Sequence, residues 1–482
     1  MSKNSTGDTK FTTQVKVLLN KIYGRSPLKD SILERAIAFY DDESFAQRKL
    51  DKLKVDIVEL TNVGSAKSQY KIANLEDEQK KYLQELALER HERAEHLQLV
   101  CREVIELCEG ENLSETNRKS AEVLGTIQLL APTEGRKVAT INEYSKPLYK
   151  AVLALRLLDQ ICLKQLLPDS YLAQELTEIS AFDFQELRSE SETAYRQFVD
   201  RVKIPIVMAV LLQDIGNNHP EAEKILFGAD GKKDNFRTFN VEERKALLQI
   251  NYRETLKYLL NGIGITMYVG NSKAERDTFN KVESNKLRFA KQLLKSSVHP
   301  KLGIGNLLKV PQIYTSIVLS TKDSYNYKLI PKVYQVLNQN AERGSCSRSI
   351  VDTLYLITGD FPQGFGMVYI PKDIDQEVRF EYAIVTQLYP ENPEEPICRM
   401  TTRYLTFIGY GHDLVVKKNR NLYFAQTAKA FSSISKERLN EILALLSSNY
   451  LEREKLDLLP RCWFPDEYFS MKAHQKLWNR IR

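Results

Sequence analysis

Apolar residues recur at helical spacing through the first 180 residues. The clearest stretch is Asp77–Cys108, where leucine, valine and cysteine return every three or four residues between charged side chains. Two arginines interrupt this apolar stripe, which favours packing in a helical bundle over a long coiled coil. Asp41–Ser44 and Pro132–Gly135 are expected to separate helices. Residues 1–180 are therefore predicted to form an N-terminal helical domain for input or interaction.

The helical pattern continues from residue 181 to residue 357. Ile204–Leu212 is an uncharged apolar run, and Gly216-Asn217-Asn218 follows it with residues that tolerate left-handed backbone geometry. Val241–Leu260 carries leucines and a tyrosine on one side of a predicted helix. We therefore predict a second, all-α domain at 181–357.

The pattern changes in the last quarter of the chain. Short β-branched and aromatic runs at Met367–Ile370, Tyr382–Val385 and Tyr404–Ile408 alternate with turn residues and predict antiparallel strands. A helical pattern near 435–449 precedes an aromatic tail. The predicted fold class is mainly α, and its last part, 358–482, is a small β-rich tail with a final helix.

Composition changes this picture little. The net charge is +6 without a dense basic block, which disfavours nucleic acid as a partner. The six cysteines include no CxxC pair, which is typical of a reducing compartment. The first residues lack an apolar signal core, and the longest uncharged apolar run is far shorter than the roughly 20 residues that cross a bilayer. We expect a cytoplasmic protein with no membrane partner.

Several segments in the middle of the chain carry a family resemblance through their order. LLQDIGNN (residues 211–218) ends an apolar helix, and a polar loop then leads to an acidic helix that reaches Asn251. IGNLLKVPQIY (304–314) contains Gln312, and ITGDFPQG (357–364) leads into the predicted strands. Together these segments resemble the HD-GYP domain. The resemblance implies an all-α fold and the activity of that bacterial family, whose members are metal-dependent phosphodiesterases for cyclic di-GMP.

The sequence departs from the family at the metal ligands. The resemblance places Gln213, Asn251 and Gln312 where the family has two histidines and an aspartate. Of the family's metal ligands, the sequence keeps only Asp214. The family's His-His-Glu is missing, and Thr278–Glu283 occupies its approximate place. A hydrolytic centre needs several anionic or imidazole donors, whereas amide oxygens are weak ligands for transition metals. We therefore assign no catalytic residue and expect no cofactor.

The leading hypothesis is a non-catalytic, HD-GYP-like regulatory protein of bacterial cyclic-dinucleotide signalling. The resemblance implies a ligand pocket at the four ligand positions, Gln213, Asp214, Asn251 and Gln312. Phosphate groups would be accepted by nearby cations, for which the candidates are Lys273, Arg276, Lys309 and Arg348. A solvated basic surface is the plainer interpretation of each cation. The partner would be a cyclic dinucleotide or a signalling protein, and a homodimer stays open.

Two other hypotheses remain open. One is a residual phosphodiesterase or phosphohydrolase for cyclic di-GMP or a related nucleotide, which would need a divalent metal. A relocated metal site that uses Asp214 with His219 or His299 belongs to it, although Pro220 favours a capping role for His219 and His299 is expected in a loop before Pro300. The other is an interaction module that uses the aromatic residues of the tail, Tyr404, Phe407, Tyr410, Trp463 and Phe464.

Overall fold

The computed structural model describes residues 6–63, 66–131, 137–301, 303–322, 325–371, 380–404, 406–408, 411–429, 437, 441 and 465–479. These residues fold mainly into α-helices, with a small antiparallel sheet towards the C-terminus. The predicted fold class is confirmed.

In chain order the described helices are α1 (Lys10–Tyr23), α2 (Ile32–Val63), α3 (Ala66–Cys108), α4 (Leu113–Leu130), α5 (Lys137–Lys164), α6 (Ser170–Glu178), α7 (Leu187–Glu190), α8 (Glu192–Phe198), α9 (Ile204–Leu212), α10 (Pro220–Phe227), α11 (Val241–Lys257), α12 (Lys273–Val298), α13 (Asn306–Val318), α14 (Val333–Glu342), α15 (Arg348–Thr358), α16 (Ala425–Ala428) and α17 (Pro465–Ser470). π-helical turns occur at Val199–Lys203 and Tyr258–Ile263. Turns of 3-10 helix occur at Ile215–Asn218, Tyr327–Lys332, Lys418–Arg420 and His474–Lys476. The strands are β1 (Gly366–Tyr369), β2 (Glu381–Val385), β3 (Ile397–Met400), β4 (Thr402–Arg403), β5 (Thr406–Phe407) and β6 (Asp413–Val415).

The chain forms two compact units, and each is assembled from separated stretches of sequence. Unit 1 comprises Met1–Leu19, Glu103–Lys203 and Lys295–Arg482. Unit 2 comprises Asn20–Arg102 and Ile204–Leu294. A linear hydrophobic pattern does not reveal such an assembly.

Helix α5 forms the centre of unit 1. Every side chain from Pro147 to Asp159 is buried, and the helix packs against α4, α13 and α15. A helix that is apolar on all sides is expected in the interior of a large protein. Within the same unit, Gln475 Oε1 accepts hydrogen bonds from Thr9 N (2.9 Å) and Thr12 Oγ1 (2.7 Å), which fixes the described C-terminal segment on the N-terminal one.

The sheet of unit 1 has the strand order β1-β2-β3-β6, and every neighbouring pair is antiparallel. The register pairs Met367 with Ala383, and Cys398 with both Val385 and Leu414. A separate hairpin pairs β4 with β5. The predicted strands at Met367–Ile370 and Tyr382–Val385 are therefore confirmed.

Unit 2 is built around α9, whose residues are all buried. The 3-10 turn that follows α9 packs against α11 and α2. The π-helical turn after α11 is capped from α3, because Arg90 donates to Leu260 O (3.1 Å) and Arg93 donates to Gly262 O (2.9 Å). The arginines that interrupt the apolar stripe thus satisfy carbonyl groups at an irregular helix end.

Two local predictions are wrong. Asp41–Ser44 does not break a helix but lies inside α2, where Asp41 and Asp42 are exposed and their charges stay in solvent. Tyr404–Ile408 is not one strand, because Tyr404 has a φ of 53° and only Thr406–Phe407 pairs with β4.

Several predictions fall on residues outside the described part of the chain. These are the break at 132–135, the final helix at 435–449 apart from residues 437 and 441, and the aromatic residues Tyr410, Trp463 and Phe464. Five cysteines (Cys101, Cys108, Cys162, Cys346 and Cys398) are buried free thiols, as expected, and Cys462 lies outside the described residues. Within the described ranges, no helix combines the length and apolar character needed to cross a membrane.

Candidate functional site

Three of the four predicted pocket residues lie together in unit 2. Gln213 and Asp214 directly follow α9, and Asn251 lies on α11, which packs against the turn after α9. Gln312 lies on α13, in unit 1. Chain folding thus brings Gln213 and Asn251 side by side although 38 residues separate them.

Both the nitrogen and the oxygen of the Asn251 side-chain amide make hydrogen bonds within unit 2. Its Nδ2 donates to the main-chain oxygen of Gln213 (3.1 Å), and its Oδ1 accepts from Thr255 Oγ1 (3.3 Å). Thr255 Oγ1 in turn accepts from Gly216 N (3.1 Å). The Asn251 side chain therefore holds α11 against the end of α9.

Gly216 is required by this close packing. A Cβ atom at Gly216 would lie 2.3 Å from the main-chain oxygen of Asn251, a distance that no side chain tolerates. The glycine of the Asp-Ile-Gly sequence therefore allows the backbones of the turn and of α11 to approach each other.

Asp214 and His219 occupy the two ends of the 3-10 turn. The main-chain oxygen of Asp214 accepts from Asn217 N (3.2 Å), but the Asp214 carboxylate makes no capping hydrogen bond to the turn. His219 Nδ1 accepts from Glu221 N (3.2 Å) and caps α10, as expected for a histidine before proline. His219 Nε2 lies 3.8 Å from the buried carboxylate of Glu254.

Thr278–Glu283, the segment that the resemblance assigns to the family's His-His-Glu, lies on α12 of unit 2. Its last residue, Glu283, is buried and accepts hydrogen bonds from Lys286 Nζ and from Thr266 Oγ1 (2.9 Å). Burial of a carboxylate is tolerated where a cation and a hydroxyl donate hydrogen bonds to it. Its hydrogen-bonding capacity is used within the protein.

The four candidate phosphate-binding cations are divided between the two units. Lys273 and Arg276 are exposed in the first turn of α12, in unit 2. Lys309 lies on α13 and Arg348 begins α15, both in unit 1. Arg348 is exposed, and its Nε lies 2.9 Å from Asp352 Oδ1. A shared role of all four in one phosphate site stays a prediction.

Unit 1 contains a buried cluster of opposite charges that the sequence analysis missed. Glu109 Oε1 lies 2.9 Å from Arg156 Nη2 and 2.7 Å from Lys203 Nζ. Tyr195 OH donates to Glu109 Oε2 (2.6 Å), and Arg156 Nε lies 3.0 Å from Asp159 Oδ2. The Arg156 side chain is 0% exposed and that of Glu109 is 2% exposed, so the charges depend on one another rather than on water. We call these five residues the Glu109 cluster.

The electrostatics of the Glu109 cluster favour an ionised Glu109. Burial alone would raise the pKa of Glu109, but the charges of Lys203 and Arg156 outweigh burial and hold the pKa below its ordinary value of 4.5. Burial raises the pKa of Asp159 above its ordinary value of 3.8, although Arg156 opposes it. A cavity of about 50 Å³ beside the cluster has room for about one or two water molecules. Through Glu109, the cluster joins Arg156 of α5 to Lys203 of the π-helical turn.

A sequence signal for this cluster does exist. Arg156 and Asp159 are three residues apart in the otherwise apolar stretch AVLALRLLDQICL (residues 151–163), on a helix that must be buried. Arginine and aspartate are almost never fully buried unless they are paired. The pair Arg156–Asp159 was therefore predictable, whereas its partners Glu109 and Lys203 were not.

Among the residues that the structure describes, no group of three or more histidine, cysteine, aspartate or glutamate side chains is placed to hold a metal ion. No protein-family model, curated protein or solved structure matches the chain.

Proposed function

We propose that this chain is a non-catalytic regulatory protein of the HD-GYP type. It would act in the cytoplasm, in cyclic-dinucleotide signalling, by binding its ligand rather than hydrolysing it. The ligand class that the resemblance implies is a cyclic dinucleotide. Neither a cofactor nor a metal is part of this proposal.

The observation that carries the proposal is the contact between Asn251 and Gln213. The resemblance assigns both positions to histidine ligands of one metal centre, and in the structure they are neighbours on α11 and at the end of α9. The two residues are thus in contact through the Gln213 main chain, and the Asn251 amide is committed to that main-chain oxygen and to a hydroxyl. An arrangement that keeps the packing and replaces the donors supports binding without metal chemistry.

The experiment restores the two histidines. In the double variant Gln213→His/Asn251→His, two imidazoles would lie beside Asp214, so we expect zinc to bind about tenfold more tightly or better than to the wild-type protein. Calorimetric titration with zinc chloride measures the affinity. Adding Asp214→Ala to the double variant is expected to remove the gain.

The matched control is Gln249→His, which adds an imidazole at an exposed position of the same helix. It should leave zinc affinity near that of the wild-type protein. The proposal fails if wild-type protein prepared without chelator holds a stoichiometric metal that Asp214→Ala releases. It also fails if the double variant binds zinc no better than the control, because the two positions would then not form a ligand pair.

A further inference from the structure

The hairpin of α10 and α11 in unit 2 leaves its apolar side chains unburied. The structure describes every residue from Glu223 to Arg253, and none of these side chains is buried. The stretch nevertheless carries ten large apolar residues, which are Ile225, Leu226, Phe227, Phe236, Phe239, Val241, Leu247, Leu248, Ile250 and Tyr252. Contiguous apolar surface of this kind is rare on monomeric proteins and marks interaction sites.

The apolar residues that α11 exposes most lie on one face of the helix. Val241, Leu248 and Tyr252 are 83%, 60% and 36% exposed. They follow one another at intervals of seven and four residues, which places them in one line along an α-helix. Lys245 lies in the same line, between Val241 and Leu248. We call these four residues the α11 stripe.

The hairpin that presents the α11 stripe is rigid. Arg237 donates to the main-chain oxygens of Ile225 (2.8 Å) and Leu226 (2.6 Å) near the end of α10, and to Glu243 Oε1 (2.9 Å). Asn240 and Glu243 form a capping box at the start of α11. A preorganised surface loses little conformational entropy on association, so it suits recognition.

The charge of the hairpin fits a second copy of this chain better than a polyanion. Pro220–Lys257 carries eight basic and seven acidic side chains. Nucleic acids and acidic membrane surfaces attract segments with a dense excess of positive charge, which this segment lacks. A nearly neutral surface with both signs interspersed meets a copy of itself without net repulsion.

The order of the charges along α11 favours an antiparallel pair. Among the described residues, the exposed side chains of Glu242 and Lys245 form no salt bridge. When two antiparallel copies of α11 cross at Leu248, Glu242 of each copy comes level with Arg253 of the other. Lys245 comes level with Tyr252 in the same way. Arg253 uses Nε and Nη2 for carboxylates of its own unit, which leaves Nη1 for Glu242.

We infer that this chain forms a homodimer through the α11 stripe, with two antiparallel copies of α11 crossing at Leu248. Such an interface uses the same patch on both copies. Because α11 has 17 residues and is about 25 Å long, the interface is small and the dimer dissociates on dilution. The dimer requires neither Gln213 nor Asn251 as a ligand residue, so the inference does not rest on the proposed function.

Sedimentation velocity of the full chain measures the association. We expect the mean sedimentation coefficient to rise from the monomer value towards the dimer value between about 1 µM and about 200 µM protein. Leu248→Glu places a carboxylate against its own copy and should weaken the dimer about tenfold or more. The matched control is Leu356→Glu, which changes a leucine of unit 1 that is 49% exposed and should leave the association unchanged.

Two outcomes of this experiment overturn the inference. A chain that stays monomeric at the highest concentration would leave the α11 stripe to a partner of another kind. A dimer that Leu248→Glu weakens no more than Leu356→Glu does would use a different surface.

A cysteine at the crossing tests the register without a change of charge. In Leu248→Cys the two new thiols would face each other across the twofold axis, so mild oxidation should join the chains into a dimer on a non-reducing gel. Leu356→Cys is the control, which also reports on the protein's own cysteines, and it should stay monomeric on the gel. If Leu248→Cys forms no more cross-linked dimer than Leu356→Cys, the copies do not meet at Leu248 and the inference fails.

Discussion

Replacing Glu109 with glutamine removes the charge that two buried cations of unit 1 share. In the wild-type protein Glu109 Oε1 contacts both Arg156 and Lys203 at less than 3 Å. Glutamine has nearly the same shape and keeps one acceptor oxygen, so the substitution changes charge far more than packing. It leaves Arg156 with only Asp159 as a carboxylate partner among the cluster residues.

The magnitude follows from burial. Breaking a buried ion pair by removing one partner costs about 3–5 kcal/mol, because the remaining charge is neither hydrated nor compensated. Here the side chains of Glu109 and Arg156 are 2% and 0% exposed, so we expect a cost in the upper half of that range. We therefore expect Glu109→Gln to lower the free energy of unfolding by about 4 kcal/mol, a large fraction of the 5–15 kcal/mol typical of folded domains.

Urea unfolding followed by circular dichroism measures the change. Glu111→Gln is the control, because Glu111 pairs with Arg188 at 3.1 Å on the surface and should contribute less than about 1 kcal/mol. The double variant Glu109→Gln/Lys203→Met should recover part of the loss, since it also removes the uncompensated cation. If Glu109→Gln costs no more than Glu111→Gln, the charges of the cluster are not coupled as described.

Three further predictions concern single positions. Burial raises the pKa of Glu122 from 4.5 to about 7 despite the neighbouring Arg118, so the native state binds the proton more tightly than the unfolded state and loses up to about 3 kcal/mol of stability as the pH rises from 4.5 to 7. Glu122→Gln should abolish this part of the pH dependence, and urea unfolding at several pH values will show whether the stabilities of the two proteins diverge above pH 4.5. Gly216→Ala should lower the free energy of unfolding by about 1–3 kcal/mol, since its Cβ would meet the main chain of Asn251, and a thermal midpoint equal to that of the wild type would contradict the close packing. Gly125→Ala should displace the Trp478 ring and change the protein's tryptophan fluorescence, whereas an unchanged spectrum would argue against the contact.

Local elements were predictable where apolar runs end at clear turn residues. Ile204–Leu212 was predicted with the bounds that α9 has, and β1 and β2 were predicted to within one residue. The start of α3 at Ala66 was missed, because its first turns are exposed and carry no apolar stripe. Tyr404 was misassigned because aromatic residues favour strands, whereas its backbone takes a left-handed turn.

Long-range contacts were not predictable from pattern alone. Glu109 and Lys203 are 94 residues apart, and no periodicity relates a residue at the end of α3 to one in a π-helical turn. Only the family resemblance assigned Gln213 and Asn251 to one pocket. It did not predict the hydrogen bond between the Asn251 amide and the Gln213 main chain.

The fate of cyclic di-GMP tests the central claim most directly. Purified full-length protein is dialysed to equilibrium against cyclic di-GMP in the presence of manganese, and the nucleotide is then analysed by chromatography. A regulatory protein that binds without hydrolysis will retain the nucleotide and return it intact. The appearance of linear dinucleotide or GMP, or the absence of any retained cyclic di-GMP, would contradict the proposal.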